Sequence, residues 1–232
     1  MKVLAVVQAR MGSSRLPGKT LMDLEGKPVL GWMLDRLVAS TTLDQVVVAT
    51  SDLSGDDPIC DYCKIGGYEF YRGDEKDVLK RFYDCSQHYG AEVLVRLTAD
   101  CPLIDPVVVD QVVNSFIGNE HDYVANTLPL EGSTFPDGCD VEVFSRSALK
   151  KAYDCAVEIE EREHVTPYMR KPESGLKTFQ VVREPDLSSF RYTLDTKEDL
   201  QNLKEIARMM TSDQKTGTME EIVAFLEPHN YS

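Results

Sequence analysis

The sequence predicts an α/β fold, a mostly parallel sheet with helices on both faces. Two observations carry that expectation. Short β-branched apolar runs alternate with longer stretches of helical apolar spacing along most of the 232-residue chain, and strand-helix alternation of this kind builds parallel sheets through right-handed crossovers. No internal repeat, low-complexity tract or long linker interrupts the pattern, so the expected partition is a single domain over 1–232 with an inserted lobe at about 128–190.

The elements follow in order. Residues 3–7 (V-L-A-V-V) form an apolar run of buried-strand length, and Gly12, Ser13, Ser14, Pro17 and Gly18 then mark a loop. Residues 28–39 have helical spacing, with Pro28 suited to the first turn. Residues 44–50 read as a strand ending in Ser51-Asp52, 56–65 as a short helix, 68–71 as a strand and 75–89 as a helix. Residues 92–97 form another buried strand, followed by T-A-D-C-P, and 105–116 a helix opening on Pro106. The second half is less regular. A strand is expected at 122–126, a Pro/Gly-containing loop at 128–137, a strand at 141–144, and helices at 145–157 and 158–170. Strands at 177–182 and 191–194 and helices at 197–210 and 219–226 close the chain.

Composition excludes several classes. A formal net charge of -14 argues against DNA or RNA as the main partner, because neutralising a phosphate backbone needs a broad basic face. No apolar run approaches the roughly 20 residues that span a bilayer, and no signal-peptide pattern precedes the first strand, so a cytoplasmic protein without membrane partners is expected. The six cysteines are scattered, and reduced thiols are the default in a chain of this size. Cys60 and Cys63 form a C-x-x-C, but no second pair stands at ligand spacing, and the segment reads as a helix face.

Against the acidic background, the first twenty-two residues contain Lys2, Arg10, Arg15 and Lys19 and no acid. Loops leaving a central parallel strand are where α/β folds bind ligands. Glycine lets backbone N–H groups approach a ligand closely, and the three loop cations suit phosphate oxygens. A nucleoside triphosphate site is one reading of this loop; a solvated connection is the other. Neither the P-loop nor the G-x-G-x-x-G spacing is present. Asp100 follows a buried strand, and Asp195 stands in the same situation after residues 191–194. Two strand-end carboxylates can face one hard cation, and magnesium takes one or two carboxylates plus substrate phosphates. Asp195 also reads as a helix N-cap, since D-T-K-E-D-L carries an acidic first turn.

Seven ordered blocks then match a known family: Q-A-R-M-G-S-S-R-L-P-G-K at 8–19, V-V-V-A-T-S-D at 46–52, Y-R-G-D-E-K-D-V-L-K-R-F at 71–82, L-T-A-D-C-P-L-I-D-P at 97–106, D-G-C-D-V-E-V-F at 137–144, E-H-V-T-P-Y at 163–168 and Y-T-L-D-T-K-E-D-L at 192–200. Together they resemble the cytidylyltransferases, in the branch of the spore coat polysaccharide biosynthesis protein F group, related to the CMP-KDO and CMP-sialic acid synthetases. The resemblance implies a nucleotide-diphospho-sugar transferase (Rossmann-like) fold. It also implies magnesium-dependent transfer of CMP from CTP to a sugar or sugar-acid-like acceptor, with release of pyrophosphate. By position it implies that Arg10 and Lys19 hold the triphosphate, with Ala9, Gly12, Ser13 and Arg15 in the same loop. Arg10, Lys19 and Asp100 are the expected catalytic residues, and Asp100 and Asp195 the magnesium ligands. Thr50 and Asp52 lie where the family's second strand meets the nucleotide, Arg72 and Asp77 belong to its third block, and Thr98 is a candidate reader of cytosine. Asp140, Glu142 and His164 would face the acceptor, with His164 either assisting deprotonation or serving as a structural histidine. The 128–190 lobe would close the acceptor site and contribute to a homodimer. Two other classes stay open: a glycosyltransferase-like enzyme consuming a nucleotide sugar, which would usually want a D-x-D metal site where this chain has A-D-C-P, and a non-catalytic nucleotide-binding module.

Overall fold

The structure is a computed structural model describing residues 1–127, 132–212 and 216–227; the first part of the expected 128–137 loop lies outside the described residues. Strand β1 (Val3–Gln8) leads into the glycine-bearing loop and a short hairpin of β2 (Asp23–Leu24) and β3 (Lys27–Pro28), followed by helix α1 (Val29–Leu37). Then come β4 (Gln45–Ser51), α2 (Asp57–Gly66), β5 (Glu69–Gly73), α3 (Val78–Tyr89), β6 (Val93–Thr98) and α4 (Pro106–Phe116). The second half adds β7 (Tyr123–Ala125), β8 (Glu142–Ser145), α5 (Arg146–Cys155), α6 (Ile159–His164), α7 (Pro167–Arg170), β9 (Thr178–Gln180), α8 (Lys197–Ser212) and α9 (Met219–Leu226).

The main sheet has seven strands in the order β5-β4-β1-β6-β8-β7-β9. Strand β8 pairs antiparallel with both neighbours, and the other pairings are parallel. The expected α/β sheet is therefore present. The alternation of β1 explains how one apolar run serves two layers, because successive side chains point to opposite faces. Val3, Ala5 and Val7 pack with α1, α4, α8 and α9, whereas Leu4 and Val6 pack with α3 and α5. Both faces are apolar, so β1 carries no polar alternation, as expected of a strand covered twice. Strands β1 and β6 stand side by side at the centre, with Gln8 opposite Thr98, and at this edge they lead into the loops that carry Arg10 to Lys19 and Asp100.

Several expectations need correction. Residues 191–194 form no strand; Arg191 makes only an isolated bridge with Asp137. The segment is extended because its polar groups bond the chain after β6: Leu194 N–H donates to Asp100 O at 2.8 Å and Thr193 Oγ1 to the same oxygen at 3.2 Å. The 158–170 helix is two helices, α6 and α7, separated at Val165, whose φ is 71°. Pro167 then begins the second helix, in the first-turn position that suits proline. Helix α3 starts three residues later than expected because Asp77 caps it, its carboxylate accepting from Lys80 N–H. The β2–β3 hairpin was not anticipated. Glu25 and Gly26 both have positive φ there, the requirement of a tight two-residue turn.

Candidate active site

The basic loop after β1 is tied down by its own backbone. Met11 O accepts from Ser13 N–H and Gly18 N–H at 3.0 and 2.9 Å, and Gly18 takes a φ of 75° that favours glycine. Met11 N–H donates to Asp56 Oδ1 at 2.7 Å, and Thr20 Oγ1 to Arg10 O at 2.8 Å. The other oxygen of Asp56 accepts from Ser51 Oγ at 2.5 Å. Burial pushes the Asp56 carboxyl upward in pKa, but these hydrogen bonds outweigh it and hold the group below its usual value. An anionic anchor at the end of β4 thus fixes the loop's first turn.

That anchoring directs Lys19 across the sheet edge. Its ammonium donates to Asp100 Oδ2 at 3.0 Å, Asp195 Oδ1 at 3.0 Å and Leu194 O at 2.6 Å. Lys19, Asp100 and Asp195 are 14%, 29% and 24% exposed, so the cluster is sheltered yet open on one side. Burial pushes the Asp100 carboxyl upward, and the Lys19 ammonium reverses this, leaving Asp100 below its usual value. Arg15 Nη1 reaches Asp195 Oδ2 at 3.3 Å, and Arg191 Nη2 reaches the same oxygen at 3.1 Å. Thr196, not Asp195, caps the start of α8: its Oγ1 accepts from Asp199 N–H at 3.2 Å, and Asp199 Oδ2 reaches back to accept from the N–H groups of Asp195 and Thr196 at 2.8 and 2.7 Å. The N-cap reading of Asp195 is thereby removed, and its carboxylate is left for the cluster.

A cleft of about 300 Å³ opens over this cluster, lined by Arg10, Ser13, Arg15, Lys19, Thr98, Asp100 and Asp195 among others. With His164, which also lines the cleft, eight sequence-selected positions thus come together. Ala9, Gly12, Thr50, Asp52 and Arg72 are not among its lining residues. Ala9 N–H continues the β1–β4 ladder to Ala49 O, and the Thr50 side chain is fully buried. Arg72 braces the turn after β4, donating to Ser51 O, Leu53 O and Asp57 Oδ1 at 2.9, 2.8 and 2.7 Å. Asp77, besides capping α3, pairs with Arg162 of α6.

A second cavity of about 440 Å³ adjoins the first, sharing Arg96, Thr98 and His164 with it. Asp137, Asp140, Glu142, Thr166 and Arg170 also line it. Glu142 is committed to a buried network: it pairs with Arg96 and accepts from Tyr123 OH at 2.5 Å and Thr166 Oγ1 at 2.7 Å. Burial raises its pKa, but Arg96 and the hydroxyl donors bring it below its usual value. Asp140 has no such cation. Burial, with Asp137 adding repulsion, raises its pKa to about 7, although the Thr127 hydroxyl pulls the other way. His164 sits at the last turn of α6, between the two cavities.

Sequence reasoning missed Arg191, which ties together Asp137, Asp195 and Asp199 with contacts of 2.9, 3.1 and 2.5 Å. The signal was the four-residue spacing of Arg191, Asp195 and Asp199, hidden by reading the segment as a strand. Cys60 and Cys63 are buried on α2, and burial pushes the Cys63 thiol up to about 12, the profile of inert core thiols. Among the described residues no group of three or more His, Cys, Asp or Glu side chains forms a metal cage. Asp100 and Asp195 each bring one oxygen to the Lys19 ammonium, so the point they share in this structure is held by that cation. Two hard carboxylates of this kind suit a cation whose remaining ligands are phosphate oxygens and water.

A family model described as cytidylyltransferase matches residues 4–228. The chain belongs to the cytidylyltransferase family. It is 31% identical to the spore coat polysaccharide biosynthesis protein SpsF of Bacillus subtilis over 232 residues, covering 96% of this chain and 90% of that protein. Among solved structures, a cytidylyltransferase from Leptospira borgpetersenii superposes with a TM-score of 0.90 at 33% identity, covering 100% of this chain and 96% of its own. The CMP:2-keto-3-deoxy-manno-octonic acid synthetase complexed with CTP shares the fold, with a TM-score of 0.65 at 19% identity and coverage of 90% and 99%. The resemblance read from the seven sequence blocks is therefore correct for the family, the branch and the fold. No helix among the described residues of this cytidylyltransferase is long and apolar enough to cross a membrane.

Proposed function

We propose that this protein transfers CMP from CTP to a hydroxyl of a sugar or sugar-acid-like acceptor, releasing pyrophosphate, in the synthesis of a surface or coat polysaccharide. The observation that carries the reading is the convergence of Lys19, Asp100 and Asp195, with Arg10 and Arg15 on the same cleft, beside a second cavity. Transfer at an α-phosphorus needs alignment and cancellation of charge on the departing phosphates, not a covalent nucleophile from the protein. Arg10, Arg15 and Lys19 supply fixed positive charge, and Ser13 supplies a hydroxyl donor. A magnesium ion held by Asp100 and Asp195 would add a Lewis acid on the phosphate oxygens. The acceptor oxygen bonds to the α-phosphorus as the α–β bridging oxygen leaves with pyrophosphate. His164, shared by both cavities, takes the hydroxyl proton in this reading. Asp140 and Glu142 belong to the acceptor side.

We assign the 128–190 segment to closing the acceptor cavity and to a homodimer contact. Strand β9 lies at the edge of the sheet there, and Phe179 and Val182 are exposed beside it. Pyrophosphate release from CTP and UTP, with a panel of 2-keto sugar acids, neutral sugars and phosphorylated acceptors, with and without magnesium, tests the reaction. Acceptor-dependent release that requires magnesium is expected. No release with any acceptor or nucleotide would remove the assignment.

A further inference from the structure

The two carboxylates that suit a divalent ion already share a cation of the chain itself. An ammonium has three N–H donors, and those of Lys19 go to Asp100 Oδ2, Asp195 Oδ1 and Leu194 O. The second oxygen of Asp195 is taken as well, by Arg15 and Arg191. Three cations therefore face two carboxylates. The spacing of the carboxylates does not depend on Lys19, because the chain after β6 and the chain before α8 are joined directly: Asp100 O accepts from Leu194 N–H and from Thr193 Oγ1. Asp199 holds the next two residues by accepting from Asp195 N–H and Thr196 N–H. Lys19 is free to turn at its side chain, since only its backbone is bound into the loop, N–H to Leu16 O and O to Met22 N–H, both at 3.2 Å. Its four-carbon stem is flexible. Arg15 is 70% exposed and free to move with it.

We propose that Lys19 is the resident counter-ion of the Asp100–Asp195 pair and yields it to a divalent ion only when a triphosphate arrives, so that metal enters this protein with CTP and not before it. The inference rests on the cytidylyltransferase reading and assigns the order in which that site fills. A divalent ion needs the same carboxylate oxygens that Lys19 holds, and an ammonium beside it repels it. A triphosphate removes both obstacles. Its oxygens offer Lys19 and Arg15 new acceptors, and its negative charge offsets the charge that the metal brings. Two carboxylates fixed by backbone bonds, and stripped of their ammonium, are left repelling one another, which a divalent ion relieves.

Electron paramagnetic resonance of free Mn2+, used in place of magnesium, tests this on the full-length protein without nucleotide. Lys19→Met keeps the length of the side chain and removes its charge; it is expected to bind Mn2+ about tenfold or more tightly than wild type. Asp100→Asn added to Lys19→Met should cancel the gain, and Lys19→Arg, which keeps the charge, should bind no better than wild type. Scanning calorimetry gives a second reading, because a ligand of the native state raises Tm. Magnesium alone should raise the Tm of Lys19→Met and leave that of wild type unmoved. Equal Mn2+ affinity in wild type and folded Lys19→Met overturns the proposal, as does a gain that survives Asp100→Asn, since the ion then sits elsewhere. Mn2+ binding by nucleotide-free wild type that Asp100→Asn weakens overturns it without recourse to any Lys19 variant. Those results leave the cytidylyltransferase reading standing, whereas absence of any CTP binding by wild type in magnesium buffer removes both.

Discussion

Lys19 is held by three acceptors, two of them carboxylates, at a place where substrate phosphates would arrive. Contacts that stabilise charge developing in a transition state commonly contribute on the order of 3 kcal/mol. Lys19→Ala is therefore expected to lower kcat/KM for pyrophosphate release by about a hundredfold or more, and unchanged turnover would remove Lys19 from the chemistry. Asp100→Asn should show a comparable loss, with the protein still folded by circular dichroism. Lys19 and Asp100 stood out in the sequence because a basic loop in an acidic chain and an acid just after a buried strand have few structural uses, whereas Asp195 was selected by a strand at 191–194 that the structure does not contain. Arg81, which lines the cleft, and Arg191 did not stand out. An arginine inside a helical pattern reads as a solvated face, and only packing against Gly73 shows that Arg81 is inside.

Helix α3 connects the nucleotide cleft to α6 through one side chain. Asp77 caps α3 and pairs with Arg162, so it fixes both Arg81 and the helix that carries His164. Loss of an N-cap alone costs about 0.5–2 kcal/mol. Asp77→Ala is expected to lower Tm by roughly 1–8 °C, at about 2–4 °C per kcal/mol in a chain of this size, as read by differential scanning calorimetry. A Tm equal to wild type would show that the Asp77 contacts are dispensable. The strands and helices of the first half were legible because each buries a periodic face, β1 being apolar up to Gln8 and β6 apolar apart from Arg96 and Thr98. The second half was less legible, since short pieces such as α7 and β9 carry too few residues to show a period. Residues 191–194 have strand composition but spend their backbone and Thr193 hydroxyl bonds on Asp100 and Asp137, a choice made by distant chain.

Folding brings carboxylates into opposite electrostatic situations, and these set how stability varies with pH. Asp110 accepts from the Ser40–Thr42 turn; burial acts upward on its pKa, but those hydrogen bonds bring it down to about 2 from an ordinary 3.8. Its contribution is present above pH 3.8 and is lost as pH falls through about 2. Asp140 works the other way. Its folded pKa of about 7 lies above 3.8, so the native state holds the extra proton between those values; the contribution is full below pH 3.8 and disappears as pH rises through about 7. Denaturant titrations of Asp140→Asn from pH 4 to 8 should show a shallower decline of stability with pH than wild type. An identical slope would mean that Asp140 titrates normally. Fold class was legible throughout, because strand-helix alternation constrains topology strongly, but the adjacency of two cavities at Arg96, Thr98 and His164 emerges only when β8 inserts antiparallel between β6 and β7. The central claim is that the early basic loop and the aspartates after β6 and before α8 form one polyphosphate site. Calorimetric titration of CTP in magnesium buffer, compared between wild type and Lys19→Ala, tests it most directly. The account predicts saturable one-site binding that weakens by tenfold or more in the variant; equal affinity in the two proteins would contradict it.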